Sequence, residues 1–119
     1  MQNIKSTVLT ALQTATALST LTGFYFQYPP NFTNLPLLSY FEVDNVGNLY
    51  ADDQEIGSEI IFQIDLWGNA SLSDLALGVN SAMTTLDFVR ITSQDLYEQD
   101  TKILHKSMRF RRDYSDPNF

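Results

Sequence analysis

His105, Ser107 and the carboxylates Asp52, Asp53, Glu55 and Glu59 are the side chains of this 119-residue chain whose types could carry covalent or metal chemistry. A histidine can act as general base for a serine hydroxyl when a carboxylate orients it. The surrounding pattern assembles no such set: there is no Gly-x-Ser-x-Gly elbow, no His-Glu-x-x-His and no glycine-rich phosphate loop, and a lone histidine is by default a surface residue. The four acids suggest a hard cation, which takes several carboxylate oxygens from one short segment. Their spacing departs from the Asp-x-Asp-x-Asp-Gly calcium loop, and solvated acidic segments are far commoner than ion sites. The expectation is no catalytic residue, no metal and no cofactor. A small metal-dependent hydrolase built on Asp52, Asp53 and Glu55 stays as the enzymatic alternative, which an absent thermal shift with divalent cations would dismiss.

Binding chemistry is better supplied. Lys102, Lys106, Arg109, Arg111 and Arg112 fall in the last eighteen positions, whereas residues 1–101 hold twelve acids against Lys5 and Arg90. Opposite potentials of this kind steer and register a contact with another copy or with another acidic surface. Alternation along a final strand puts His105, Ser107, Arg109 and Arg111 on one face and Leu104, Lys106, Met108 and Phe110 on the other. Two uses of Arg109 and Arg111 stay open: cross-strand pairing with Glu59 and Asp65, worth ~0.2–1 kcal/mol per pair, or an interface. Nucleic-acid binding ranks third, because Phe110 points away from the arginines and no base reader joins them. Trp67, on the polar side of its strand, either covers a sheet edge or stands exposed as a binding anchor. The candidate oligomer or partner interface is thus Asp52, Asp53, Glu55, Trp67, His105, Arg109 and Arg111.

Particular elements must position these residues. Ile4, Val8, Ala11, Leu12, Ala15 and Leu18 share one stripe at helical spacing, which predicts an amphipathic helix from Asn3 to about Leu21, stopped near Gly23. Its other face is Thr and Ser, so it depends on docking rather than on propensity. Phe24–Tyr28 reads as a short strand ended by Pro29-Pro30. Leu37–Val43 is a strand apolar on both faces. Asp44–Ser58, with its glycines and acids, reads as a long polar loop of the functional or mobile kind. Glu59–Trp67 alternates cleanly, Ile60, Phe62, Ile64 and Leu66 against Glu59, Gln63, Asp65 and Trp67.

Ser71 with Asp74 has the spacing of a capping box, opening a second helix to about Leu86 with Gly78 and Asn80 on its outer half. Phe88–Ser93 reads as a strand, Gln94–Thr101 as an acidic turn and Lys102–Arg112 as the last strand. The order α-β-β-loop-β-α-β-β implies an α+β fold, with a single mixed, mainly antiparallel sheet and two helices packed on one face. One domain spans 1–113, followed by a flexible tail, 114–119.

Composition bounds the rest. A content of 44% hydrophobic and 18% charged residues is that of a folding chain, large enough for an ordinary core. Without cysteine, thiolate metal sites, disulfides and cysteine nucleophiles are excluded, as fits a protein made in cytosol. Nothing approaches the ~18 consecutive apolar residues of a membrane span, and Ile4–Leu21 is too interrupted by Thr, Ser and Gln for a signal peptide. A net charge of −7 argues for a soluble chain that repels nucleic acid over most of its surface.

Several pieces in order, Tyr28-Pro29, Leu35-Pro36, Tyr50-Ala-Asp52 leading to Phe62-Gln-Ile-Asp65-Leu-Trp67, and Asp95-Leu-Tyr97-Glu98 followed by Thr101-Lys102 and His105-Lys106 to Arg109-Phe110, span nearly the whole chain. Their order and spacing resemble the tail terminator, or tail-completion, proteins of long-tailed bacteriophages and prophages. One departure is Leu86-Asp87-Phe88, where a glycine is expected before the aromatic.

The resemblance implies a non-catalytic virion protein, made in the bacterial cytoplasm, that forms a hexameric ring of itself at the head–tail junction. Such a ring stops tail-tube polymerisation, contacts the tail-tube protein on one side and a head-side neck or connector protein on the other, and lets DNA through without binding it specifically. Membranes play no part. Another neck component, a head-completion or tail-tube protein, is the alternative, since small α+β domains recur there.

Overall fold

The computed structural model describes residues 3–51, 54–99 and 102–115, with the side chains of 48–51, 54–56, 98 and 115 set aside. The chain forms α1 (Lys5–Thr14), a 3-10 turn (Thr16–Leu18), β1 (Gly23–Phe26), β2 (Leu37–Ala51), β3 (Gln54–Gly68), α2 (Ser73–Thr85), β4 (Val89–Glu98) and β5 (Ile103–Ser115). Its five strands make one mixed sheet in the order β1-β2-β3-β5-β4. β1 runs parallel to β2, and the other neighbours are antiparallel. The class is α+β, with two helices and one sheet, as the periodicities imply.

Alternation on β3 organises the packing. Ile60, Phe62, Ile64 and Leu66 are fully buried and share one cluster with Val8 and Leu12 of α1, Val79 and Met83 of α2, and Met108 and Phe110 of β5. Phe62 stands opposite Phe110 in register, and Phe88 meets the Phe62 ring edge-on at 5.9 Å. Each such side chain contributes ~1.5–3 kcal/mol through the apolar surface it removes from water.

The first helix is shorter than its apolar stripe. It ends at Thr14, whose hydroxyl donates back to the Thr10 carbonyl at 2.8 Å, and Ala15 turns extended (ψ 120°) before the 3-10 turn carries Leu18 back into the core. Hydroxyl side chains that bond their own backbone weaken a helix at such points. The break also brings Ala17 and Leu18 against α2 at Gly78: a β-carbon there would lie 2.9 Å from the Ala17 methyl. Gly78 therefore faces inward, not outward, and its missing side chain is what lets the two segments touch.

The expected capping box is not formed. Ser71 Oγ accepts a long bond (3.4 Å) from the Ser73 amide and donates to the Ser73 hydroxyl at 3.3 Å, and no side chain caps the first turn of α2. The C-terminus is better finished: the Asp87 amide donates to Thr84 O at 2.9 Å and the Phe88 amide to Met83 O at 3.0 Å, with Asp87 at φ 64°. That is the Schellman arrangement, with Asp87 in the left-handed position a glycine usually takes.

The polar stretch 44–58 corrects the loop expectation. Most of it is strand, the outer part of a β2–β3 hairpin paired as far as Ala51 opposite Gln54. Register shifts between Glu42 and Asp44, between Gly47 and Leu49, and between Leu49 and Tyr50 accommodate the irregular pattern. Such bulges obscure a period of two in the sequence. Strand pairing also extends β4 to Glu98, into the stretch read as an acidic turn, and β5 to Ser115, beyond Asp113.

Candidate functional site

The side chains of β3 and β5 that point away from the helices form a connected polar network. Asp65, only 4% exposed, receives the His105 Nε2 proton donor at 2.8 Å and both bonds of the Gln63 amide, at 3.0 and 3.2 Å. Gln63 Oε1 accepts from Arg109 Nε at 3.0 Å, directly across the strand pair. The His105 ring stacks on Trp67 at 3.7 Å with planes 13° apart. Trp67 Nε1 donates to the buried Ser39 hydroxyl of β2 at 3.0 Å. Burying a carboxylate is costly unless its lone pairs are satisfied, and here three donor contacts satisfy them.

Trp67 is 4% exposed, so it is no free binding anchor. The segment between β1 and β2 covers it, with Tyr28 edge-on at 5.5 Å and Phe32 at 5.0 Å. Parallel neighbours require such a crossover, and this one is tied down by the Thr22 amide on Pro36 O at 3.0 Å, the Thr22 hydroxyl on Asn34 O, and an Asn31 turn whose Oδ1 accepts from Thr33. A second cluster of Leu37, Trp67 and Ile103, with Tyr25, Phe32 and Leu35 around it, results. An aromatic read on a polar face gave no sign that a loop remote in sequence would close over it.

The arginines separate by strand parity. Arg111 is half exposed and reaches Glu59 at 3.4 Å and Asp113 at 3.2 Å, a contact of the kind that contributes about 0–1 kcal/mol. Of the two acids expected to pair with arginine, Glu59 does so, while Asp65 belongs to His105. Arg112 turns to the helix side, donates to the Leu86 carbonyl at the end of α2 and stacks on Tyr114 at 3.7 Å. A cation there complements the helix dipole. Lys106 pairs with Asp95 of β4 at 3.0 Å. Only His105, Arg109 and Arg111 of the basic segment thus share the open face, which sequence alternation anticipates. Gln63 and Ser39 are the members that the sequence did not single out, and Asp65 was expected opposite arginine rather than histidine.

Asp52 and Asp53 lie outside the described residues. Glu55 is placed only by backbone, opposite Tyr50 near the end of the hairpin. Among the described residues no three His, Asp or Glu side chains gather as metal ligands. Nor is any helix among them long and apolar enough to cross a membrane. Chemically, the open face is a preorganised hydrogen-bonded platform. Its histidine is held between a carboxylate and an indole, and the serine hydroxyl in the network accepts from tryptophan.

No family model matches the chain, and no curated protein matches it. Among solved structures, a chain described as "Virion of native gene transfer agent (GTA) particle" aligns with a TM-score of 0.56 at 13% identity, over 87% of this chain and 88% of that one. The two chains share a fold. At that identity the likeness concerns backbone architecture alone. Nothing about the Asp65–His105 network or the arginines passes from one chain to the other.

Two open recesses flank the outer strand β4. One, of about 420 Å³, lies at its start between Asp87, Val89, Ile91, Arg111 and Arg112. The other, of about 480 Å³, lies toward its end and is bounded by Ser71, Ser73, Leu96, Tyr97, His105 and Lys106. Both are shallow surface features at the sheet margin.

Proposed function

We propose that this protein is a structural component of a phage-like virion, and specifically a tail terminator: a ring-forming protein that caps the head-proximal end of the tail tube and joins it to the head. The observation that carries the virion part of this reading is the fold likeness to a gene transfer agent virion chain along nearly the full length of both, while the terminator part rests on the sequence resemblance. It agrees in kind with the resemblance of the sequence segments to tail-completion proteins. In this reading the Asp65–His105–Trp67 network of the open face is structural. A ring suits a charge-segregated chain, because a heterologous contact between unlike surfaces closes when the rotation between copies closes. The self-contact, the tail-tube protein and a head-side neck protein are the partners this reading requires, with DNA passing through unbound.

The test is negative-stain microscopy of lysates from the parent phage carrying a stop codon in this gene. Filled heads beside free tails of abnormal length are the expected result. Normal joined particles would overturn the reading. A tail-tube protein would instead leave no tails, and a head-completion protein would leave tails of normal length beside heads that had lost their DNA.

A further inference from the structure

The outermost strands of the sheet, β1 and β4, stand level with each other. Phe26 of β1 is in register with Tyr40, Ile64 and Met108 and, through them, with Ser93 of β4, and the row that starts at Phe24 ends in the same way at Asp95. The register shift of β4, between Arg90 and Thr92, falls just past the row at which β1 stops, so the regular part of the β4 edge is the part level with β1. Neither strand has another beside it on its outer side within the chain, and both expose apolar side chains, Phe26 (49%) on β1 and Leu96 and Tyr97 on β4. Edges of that kind are templates for pairing with another chain, and monomeric proteins usually blunt them.

We infer that these two strands are the halves of one contact between copies: Ser93–Leu96 of β4 pairs antiparallel with Gly23–Phe26 of β1 in the next copy. This rests on the ring reading above. In a closed ring successive copies are related by a rotation with no rise along the axis, so edges that meet across strands running along that axis must lie at one height, as these do. Direction agrees: β1, β2 and β5 run one way and β3 and β4 the other, so the rotation sets β4 antiparallel to the neighbouring β1. The faces agree as well. The rows of Phe24 and Phe26 pass through Leu66 and Ile64, which point to the helices, so a sheet joined along those rows keeps its helices on one side in every copy.

Charge selects the same match. Beyond Phe26 the edge of β2 is uncovered, and the next row on the helix face runs from Glu42 through Phe62 and Phe110 to Arg90. Joining copies at one height sets Arg90 of one copy across from Glu42 of the next, over the notch where β1 has stopped. Two strand spacings, ~9.5 Å, separate those backbones, within the joint reach of an arginine and a glutamate. Arg90 is exposed and pairs with no acid among the described residues. Lys5 approaches Glu42 only at Oε2, at 3.8 Å, which leaves the other oxygen to a second cation. Gly23–Phe26 carries no charge, so Asp95 meets no acid on β1. Backbone hydrogen bonds supply the affinity of such a contact and the unlike charges fix its direction.

The chain has no cysteine of its own, and Phe26 lies outside the buried cluster. Within one copy Phe26 and Ser93 are four strand spacings apart, ~19 Å, so a disulfide joining cysteines at these positions forms only between copies. The double variant Phe26→Cys with Ser93→Cys is oxidised at rising protein concentration, beside each single variant, and followed by non-reducing electrophoresis and sedimentation velocity. A ladder of linked copies that stops at the mass of a ring, absent from both single variants, is the expected result. Arg90→Glu should shift the sedimentation profile to smaller species with an unchanged circular dichroism spectrum, and Glu42→Arg in the same chain should restore it. Rings without the cross-link would overturn the edge pairing and leave the ring reading standing. Linked chains that lengthen without closing would keep the pairing and sink the ring. A disulfide dimer from Ser93→Cys alone would overturn the proposal in favour of β4 pairing with itself, and monomers throughout would overturn the pairing.

Discussion

One side of β3 is dry and apolar and the other, the wet side, is polar and hydrogen-bonded even where it is buried, although alternate residues of one strand build the two. Toward the helices, Ile60, Phe62, Ile64 and Leu66 are removed from solvent by α1, α2 and β5. On the opposite side Gln63, Asp65 and Trp67 are joined by hydrogen bonds to Ser39, His105 and Arg109. The dry face is held by shape, which tolerates no lost volume. The wet face is held by partners, and what matters there is whether each buried polar atom keeps one. Asp65 and His105, the residues with the most reactive chemistry, are bonded to each other on that face, while Arg111 stands half exposed beside them.

The largest effect should separate the two faces most sharply. Phe62→Ala leaves a cavity between Phe88 and Phe110 that the helices cannot fill, and such truncations cost about 3–5 kcal/mol. Arg109→Ala, one strand away and exposed, should change stability by less than about 1 kcal/mol. Urea unfolding of both variants measures the contrast. Comparable losses would mean that the arginine is part of the packed structure.

Asp65→Ala probes the wet face alone. It removes the acceptor of His105 and Gln63 and strands their donors, at a cost of about 2 kcal/mol. Asp65→Asn, which keeps one carbonyl oxygen, should lose less. The indole should report the event, because Trp67 stacks on the released imidazole and its near-UV circular dichroism band should weaken in Asp65→Ala. An unchanged band with lowered stability would place the cost elsewhere than in the network.

The dry face was legible in the sequence and the wet one only in part, for a physical reason. Burial leaves a periodic trace, so the apolar alternation in Glu59–Trp67 and the stripe through α2 locate the core correctly. Hydrogen-bonded networks leave none: Asp65 and Gln63 look like any polar residues on an exposed strand, and only the fold brings Ser39 within 3.0 Å of Trp67. The hairpin was missed because bulges at 42–44 and 47–50 break the period of two, while glycines and acids imitate a loop. Gly78 was set on the wrong side because α1 stops early and the 3-10 turn that follows brings Ala17 and Leu18 onto it. Trp67 was read from its own strand, without the crossover that buries it.

The smallest predicted effect concerns the join between the two regions, where α2 hands the chain to β4. Asp87 occupies the left-handed region at φ 64°, the position at which a glycine was expected before Phe88. An L-residue there carries a penalty of ~1–2 kcal/mol, reduced for Asp by its short polar side chain. Asp87→Gly removes the penalty but loosens the unfolded chain and gives up the 3.9 Å approach to Arg112, made by a side chain that is mostly in water. These contributions nearly cancel, so a rise of no more than about 1 kcal/mol is expected. Asp87→Ala has no compensation and should lose about 1 kcal/mol. The order Gly, Asp, Ala in melting temperature is the readout. An alanine variant as stable as the parent would mean that the Schellman turn is not what ends α2, and that Arg112 on the Leu86 carbonyl holds the join by itself.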